Sequence, residues 1–326
     1  MTNFVNRKRC PVCNNSSIIE LLSIPYTHPN IVSYFKRLYS KYYYPEINID
    51  YNLLDGANFC VAECETCGLI FHKEVANDFI MVKIYEEWTD IKHNFQINLK
   101  IHSPQYVFNH VNEIFHLLSL YNNKSPDKYK VLDFGSGWSQ WSRVAIAFGL
   151  DVYGHELSLA KKQFAEKFGI KILSWEKLTD HQFDFINTEQ VFEHLTNPLQ
   201  MLEYLKKCIH SESIIKISVP DSSRLKDYLK TKIDWDYISD TDIFNAIAPL
   251  QHVNAFTRPN LIRMVESAGF IIIPAQKMPY LTIVNEENRD KKLKTLIKKI
   301  RNEIRACFSV ENERPDTRTY ILIKIK

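Results

Sequence analysis

Val131-Leu132-Asp133-Phe134-Gly135-Ser136-Gly137 is an apolar run that stops on two glycines and passes into a helical pattern near residue 139. Glycines at such a strand-to-helix turn permit positive φ and let a ligand approach the backbone, while the helix N-terminus favours an anionic group. A dinucleotide fingerprint asks for a third glycine where Gln140 stands, which argues against a nicotinamide cofactor. On either side, short apolar runs at 130–134, 151–155, 170–174, 183–188 and 213–219 alternate with helical stretches near 139–148, 158–168 and 197–208. This alternation predicts a doubly wound parallel sheet of βαβ units that receives ligands at the carboxyl ends of its strands.

Three more segments follow in order. Asp151-Val152-Tyr153-Gly154-His155-Glu156 ends in a carboxylate about 20 residues beyond the glycine turn, where this topology sets an acid beside a ribose diol. Thr188-Glu189-Gln190-Val191-Phe192-Glu193-His194-Leu195-Thr196-Asn197-Pro198 closes the fourth strand in a polar cluster, with Asn197 able to cap the next helix. Gln251-His252-Val253-Asn254-Ala255-Phe256-Thr257-Arg258-Pro259 leads into a helix over 258–268, a glycine cap at Gly269 and a strand over 270–273. Together, over residues 105–326, these motifs resemble the class I S-adenosylmethionine-dependent methyltransferases, particularly the group with E-H-L/V-x-x-P and a later Q/E-H-x-x-x-F.

The resemblance implies an α/β fold, a Rossmann-like seven-stranded sheet with helices on both faces and an antiparallel last strand, here 320–326. Carried over by position, Gly135 and Gly137 pass the methionine part of S-adenosyl-L-methionine, Asp133 orders their loop, and Glu156 accepts from the ribose hydroxyls. Leu157 and the Ser174-Trp175-Glu176 segment flank the adenine, and Glu189 through His194 line the floor near the methyl group. The sequence departs from the family at the third loop glycine, where Ser139 follows the bulky Trp138.

Cys10-Pro11-Val12-Cys13 and Cys64-Glu65-Thr66-Cys67-Gly68 are two C-x-x-C knuckles whose four thiolates match a closed tetrahedral Zn2+ site, with iron or an empty reduced site as the alternatives. Cys60, one turn or two strand steps from Cys64, competes as a ligand or packs as a small apolar residue. The domains expected are a zinc-binding module with an aromatic insertion over 1–78, a helical connector or lid over 79–125, and the methyltransferase domain over 126–326. Residues 286–308 form a helical insertion within the last. Paired knuckles ahead of such a core resemble the sugar C-methyltransferases and their relatives, which carry a Y-H-E-H run. Here Pro249-Leu250-Gln251-His252 stands in its place and keeps only the last histidine, which favours a hydroxyl acceptor over carbon methylation. His252 is the first candidate base and His194 the second, on the expectation of an imidazole titrating near neutrality.

With 41 Lys+Arg against 38 Asp+Glu, no global field draws the chain to nucleic acid, so a nucleic-acid acceptor ranks behind a small molecule or saccharide. A zinc-bearing binding module on a vestigial methyltransferase fold is the competing reading. The aromatic insertion over 31–51 would suit stacking on bases or sugars equally. No apolar run approaches the roughly 20 residues that span a bilayer, and the start of the chain lacks a signal-peptide core, so a cytoplasmic protein is expected. The basic amphipathic stretch 286–305 offers peripheral contact with a membrane.

Overall fold

The computed structural model describes residues 3–42, 49–101, 104–121, 124–231, 233, 235, 243–274 and 318–326. The amphipathic stretch 286–305, and with it the insertion 286–308, lies outside the described residues.

The N-terminal part holds a short ribbon of β1 (Phe4–Asn6) and β5 (Glu74–Ala76), and an antiparallel sheet of β2 (Ile18–Pro25), β3 (Asn58–Cys64) and β4 (Ile70–His72). Between β2 and β3, α1 (Pro29–Tyr42) buries Ile31, Tyr34 and Phe35, the spacing of one helix face, against a core containing Tyr26 and Phe59. Tyr34 and Phe35 of the aromatic insertion are therefore core residues rather than a stacking surface, while the side chains of 38–48 lie outside the described residues. Two helices, α2 (Asp78–Val82) and α3 (Ile91–Ile101), lead to α4 (Pro104–Tyr121), which lays Ile114 and Leu117 on the next domain.

The main sheet runs through β6 (Lys130–Phe134), β7 (Asp151–His155), β8 (Lys171–Ile172), β9 (Phe183–Glu189) and β10 (Ile209–Pro220). Its helices are α5 (Gln140–Ala147), α6 (Leu159–Glu166) and α7 (Pro198–Leu205). Beyond them, α8 (Leu225–Lys230), β11 (Asn254–Ala255), α9 (Arg258–Ser267), β12 (Phe270–Ile272) and β13 (Arg318–Ile325) complete the described chain. The order β12-β13-β10-β9-β6-β7-β8 is parallel except where β13 pairs antiparallel with both β10 and β12. The predicted strand over 170–174 shrinks to two residues because it lies at the sheet edge and pairs with β7 alone, while β10 extends beyond the predicted 213–219.

The fourth strand of the N-terminal sheet is β11, paired antiparallel with β4 through Asn254↔Phe71 and Ala255↔Ile70. That sheet thus closes on a strand just after His252. No described helix is long and apolar enough to cross a membrane.

Candidate cofactor and acceptor site

At the carboxyl end of β6 the chain turns on Gly135, at φ +75°, whose N–H donates to the His155 carbonyl at 2.8 Å. A Cβ there would stand 2.6 Å from Val191 Cγ2, so the position requires glycine twice over. Gly137, at φ +52°, faces open space and donates its N–H to Glu156 Oε2 at 2.8 Å. The other oxygen of Glu156 accepts from the backbone N–H of Leu157 and of Ser158, both at 2.9 Å. Glycine loop and acid, read separately from the sequence, are one hydrogen-bonded unit. Ser139, in the place of the third glycine, takes φ +59°, and its own N–H caps back to Ser136 O at 2.8 Å.

Beneath the loop, buried Asp133 accepts from Ser142 Oγ at 2.6 Å and from Asn187 Nδ2 at 2.8 Å, and burial pushes its pKa up to about 6. Leu157 is 72% exposed, leaving an apolar ledge beside Glu156. Trp175 stacks on Tyr204 with ring centroids 4.2 Å apart, so part of the ring assigned to adenine is spent on packing. Above the loop, Trp138 donates Nε1–H to Asn94 Oδ1 at 2.8 Å and packs on Phe95, so α3 covers the glycine turn.

Glu189, at the end of β9, pairs with Lys216 of β10, whose Nζ also reaches Glu113 Oε1 of α4 at 2.5 Å. Lys216 is 1% exposed. No motif in the sequence pairs these three residues, although a lysine inside the apolar run Ile214-Ile215-Lys216-Ile217 signals a buried charge in need of partners.

His194 follows β9 in a short 3₁₀ turn, and His252 precedes β11. Their rings meet edge to face with centroids 4.7 Å apart. His194 donates Nδ1–H to the Gln251 carbonyl at 2.9 Å, and His252 donates its Nδ1–H to the Asn245 carbonyl. Those carbonyl partners assign the proton to Nδ1 and the lone pair to Nε2 in each ring. Burial pushes His194 down to about 3 and His252 down to about 4, so both are neutral at pH 7. Titration near neutrality, expected from the sequence, is displaced downward because the charged imidazolium loses its hydration.

The four knuckle cysteines converge: Cys10 and Cys67 Sγ lie 3.5 Å apart, as do Cys13 and Cys64 Sγ, and all four sulfurs lie within 4.8 Å of one another. Such a set could hold one metal ion. The residue after each second cysteine, Asn14 at φ +56° and Gly68 at φ +70°, turns the backbone back, so the two knuckles share one construction. The hydrogen bond to Cys67 pulls the Cys10 thiol down to about 5. Cys60 stands outside the cluster, with its Sγ 3.2 Å from Glu20 Oε2.

A family model described as a methyltransferase domain matches residues 105–275. A comparison with curated proteins finds no match. Among solved structures, an S-adenosylmethionine-dependent methyltransferase from Archaeoglobus fulgidus is 16% identical, with 68% of this chain and 100% of that one covered at a TM-score of 0.39. The plantazolicin methyltransferase BpumL, in complex with a pentazolic desmethylPZN analog and S-adenosylhomocysteine, is 14% identical over 76% of this chain and 95% of its own, TM-score 0.47. Magnesium protoporphyrin IX methyltransferase from Synechocystis PCC 6803, with bound S-adenosylhomocysteine, is 13% identical over 67% and 83%, TM-score 0.41. The family match runs from α4 through β12, spanning more than half of the chain and every strand of the main sheet but β13; the chain belongs to the methyltransferase-domain family and is an S-adenosylmethionine-dependent methyltransferase.

Proposed function

We propose that this enzyme methylates a hydroxyl of a small-molecule or saccharide acceptor, with His252 as the group that receives the proton. The observation that carries this reading is the pair of neutral imidazoles at 194 and 252, each with its Nδ1–H committed to a carbonyl and Nε2 left as a proton acceptor. The preceding Pro249-Leu250-Gln251 supplies no tyrosine or carboxylate, so proton abstraction from carbon is poorly served, whereas a hydroxyl needs one base and alignment.

In this reading Gly135 and Gly137 pass the methionine part of the cofactor, Glu156 accepts from its ribose, and Leu157 and Trp175 flank its adenine. Asp133 and Glu189 stiffen the loop and floor from below. The cofactor supplies an already activated methyl, which leaves the chain to orient the acceptor and exclude water. His252 Nε2 takes up the hydroxyl proton while the Asn245 carbonyl holds the ring, and His194 packs against its face as the second candidate. With its pKa below neutrality the His252 ring is unprotonated at pH 7, so Nε2 is open to the hydroxyl proton as the methyl arrives, although burial also makes it a weaker base than a free imidazole.

The four cysteines fit a structural Zn2+: an all-sulfur set, two of its members fully buried, leaves no position open to substrate. On that view 1–78 is a zinc-bearing module, 79–125 a lid and 126–326 the transferase. Reduced, metal-binding cysteines suit a cytoplasmic enzyme.

The test follows S-adenosylhomocysteine formation with a panel of saccharides and nucleotide-linked sugars, and locates the new methyl by NMR. Turnover by His252→Asn should fall about 100- to 10,000-fold with S-adenosylhomocysteine affinity unchanged. Full turnover by that variant removes His252 as the base, and a methyl found on carbon or nitrogen overturns the hydroxyl assignment.

A further inference from the structure

Arg7 joins the N-terminal part to the turn after His194 and to the segment after His252. It is 7% exposed, and its guanidinium lies over the Phe71 ring at 5.2 Å. Its Nε–H donates to the His72 carbonyl at 2.9 Å, Nη1 to Asn254 Oδ1 at 2.8 Å and to Thr196 O at 3.2 Å, and Nη2 to Val253 O at 2.7 Å. All four acceptors are neutral oxygens, and they come from β4, from the turn after His194 and from the strand after His252. Asn254, itself fully buried, continues the connection: its Nδ2 donates to Phe192 O at 3.0 Å and to Leu195 O at 2.7 Å. The Val253 N–H donates to Glu193 O at 2.7 Å.

We propose that Arg7 is a positioning residue for the histidine pair, clamping the 192–196 turn to the 252–254 strand so that His194 and His252 face each other in the placement methyl transfer uses. The proposal rests on the acceptor-side reading of those two histidines. Geometry selects arginine here: a rigid planar fork serves oxygens on three segments at once, which a lysine ammonium on a flexible stem cannot reproduce. Holding a cation among neutral hydrogen-bond acceptors in the interior is costly, and attraction to the Cys10 thiolate offsets only part of that cost to the site, since burial still pulls the guanidinium down to about 9. What it obtains is registry between two segments that the sequence separates by more than fifty residues. The N-terminal part thereby acts on the acceptor half of the site without touching the glycine loop.

The test uses the full chain with Arg7→Met and Arg7→Lys, read by imidazole 15N spectra, amide exchange and calorimetry with S-adenosylhomocysteine. The clamp predicts that Arg7→Met scrambles the fixed Nδ1–H tautomers of both histidines and speeds exchange of the 192–196 and 252–254 amides about tenfold or more. Cofactor affinity should stay within about twofold of the parent, because the Glu156 unit is independent of the clamp. Arg7→Lys should show the same spectral change, and it decides the matter if Arg7→Met does not fold. Unchanged imidazole spectra in the folded variants overturn the proposal. So does loosening that spreads equally to β6 and β7 with loss of cofactor binding, which would mark a general packing role. Should the histidines prove idle in methyl transfer, His252→Asn turns over normally while the Arg7 spectra still move, so the two failures are told apart.

Discussion

The proposed cofactor side and the proposed acceptor side of this site are built on different principles. On the cofactor side, Gly137, Glu156, Leu157 and Ser158 join through bonds that span at most 19 residues, within one β-turn-α-β unit. On the acceptor side, Arg7 reaches across 246 residues to Val253, and His194 across 57 to Gln251. A local unit keeps its shape wherever the surrounding chain is ordered, whereas an assembled one exists only when distant segments have docked. Binding of cofactor and competence toward acceptor should therefore be separable by mutation.

Metal removal should give the largest effect. On the zinc reading proposed above, stripping the ion from Cys10, Cys13, Cys64 and Cys67 should cost β2, β3 and β4 their amide protection, several kcal/mol of local stability, while β6, β7 and β9 stay protected. Exchange mass spectrometry after chelation reads this directly, and uniform loss across both sheets would erase the distinction drawn above. Next comes Lys216→Met, which strands Glu113 and Glu189 without their cation and should lower stability by about 3–5 kcal/mol in urea denaturation. A smaller loss would mean that water or protonation relieves the pair. Glu156→Ala should weaken S-adenosylhomocysteine binding about 100-fold by calorimetry, leaving the His194 and His252 spectra in place. Coupled loss of both would join the two halves that the geometry separates. The smallest effect belongs to Leu157→Ala: exposed as it is, its removal should change stability by less than about 0.5 kcal/mol and cofactor affinity only several-fold.

The same division explains what could be read from the amino acids alone. The order of the main-sheet strands emerges from their apolar runs, and β6 and β7 coincide with their predicted spans because each is bounded by its own turn, whereas β8 is shorter and β10 longer than predicted. Glu156 and the glycines were visible for the same reason, being set by spacing within one supersecondary unit. The four cysteines showed themselves through local C-x-x-C spacing, although nothing in that spacing tells which sulfurs approach. Arg7 carries no such mark: among Asn6, Lys8 and Arg9 it looks like one more surface cation, and only tertiary packing buries it. The low titration of His194 and His252 was equally hidden, because desolvation is a property of the assembled core. Lys216 stood between these cases, a charge in a buried strand whose partners on α4 and β9 no pattern names.

The loan of β11 to the N-terminal sheet also sets a timetable. The chain is made from its N-terminus, and β2, β3 and β4 leave the ribosome about 180 residues before Asn254 and Ala255, which complete their sheet. At roughly 5–20 residues per second, the edge of β4 waits on the order of ten to forty seconds for its neighbour. During that wait the cysteine knuckles are already synthesised and free to close, while Phe71 and Ile70 present an unpaired strand edge. An ion captured early would hold that edge in register until the histidine-bearing strand arrives, making metal supply during synthesis a determinant of how much enzyme reaches its working form.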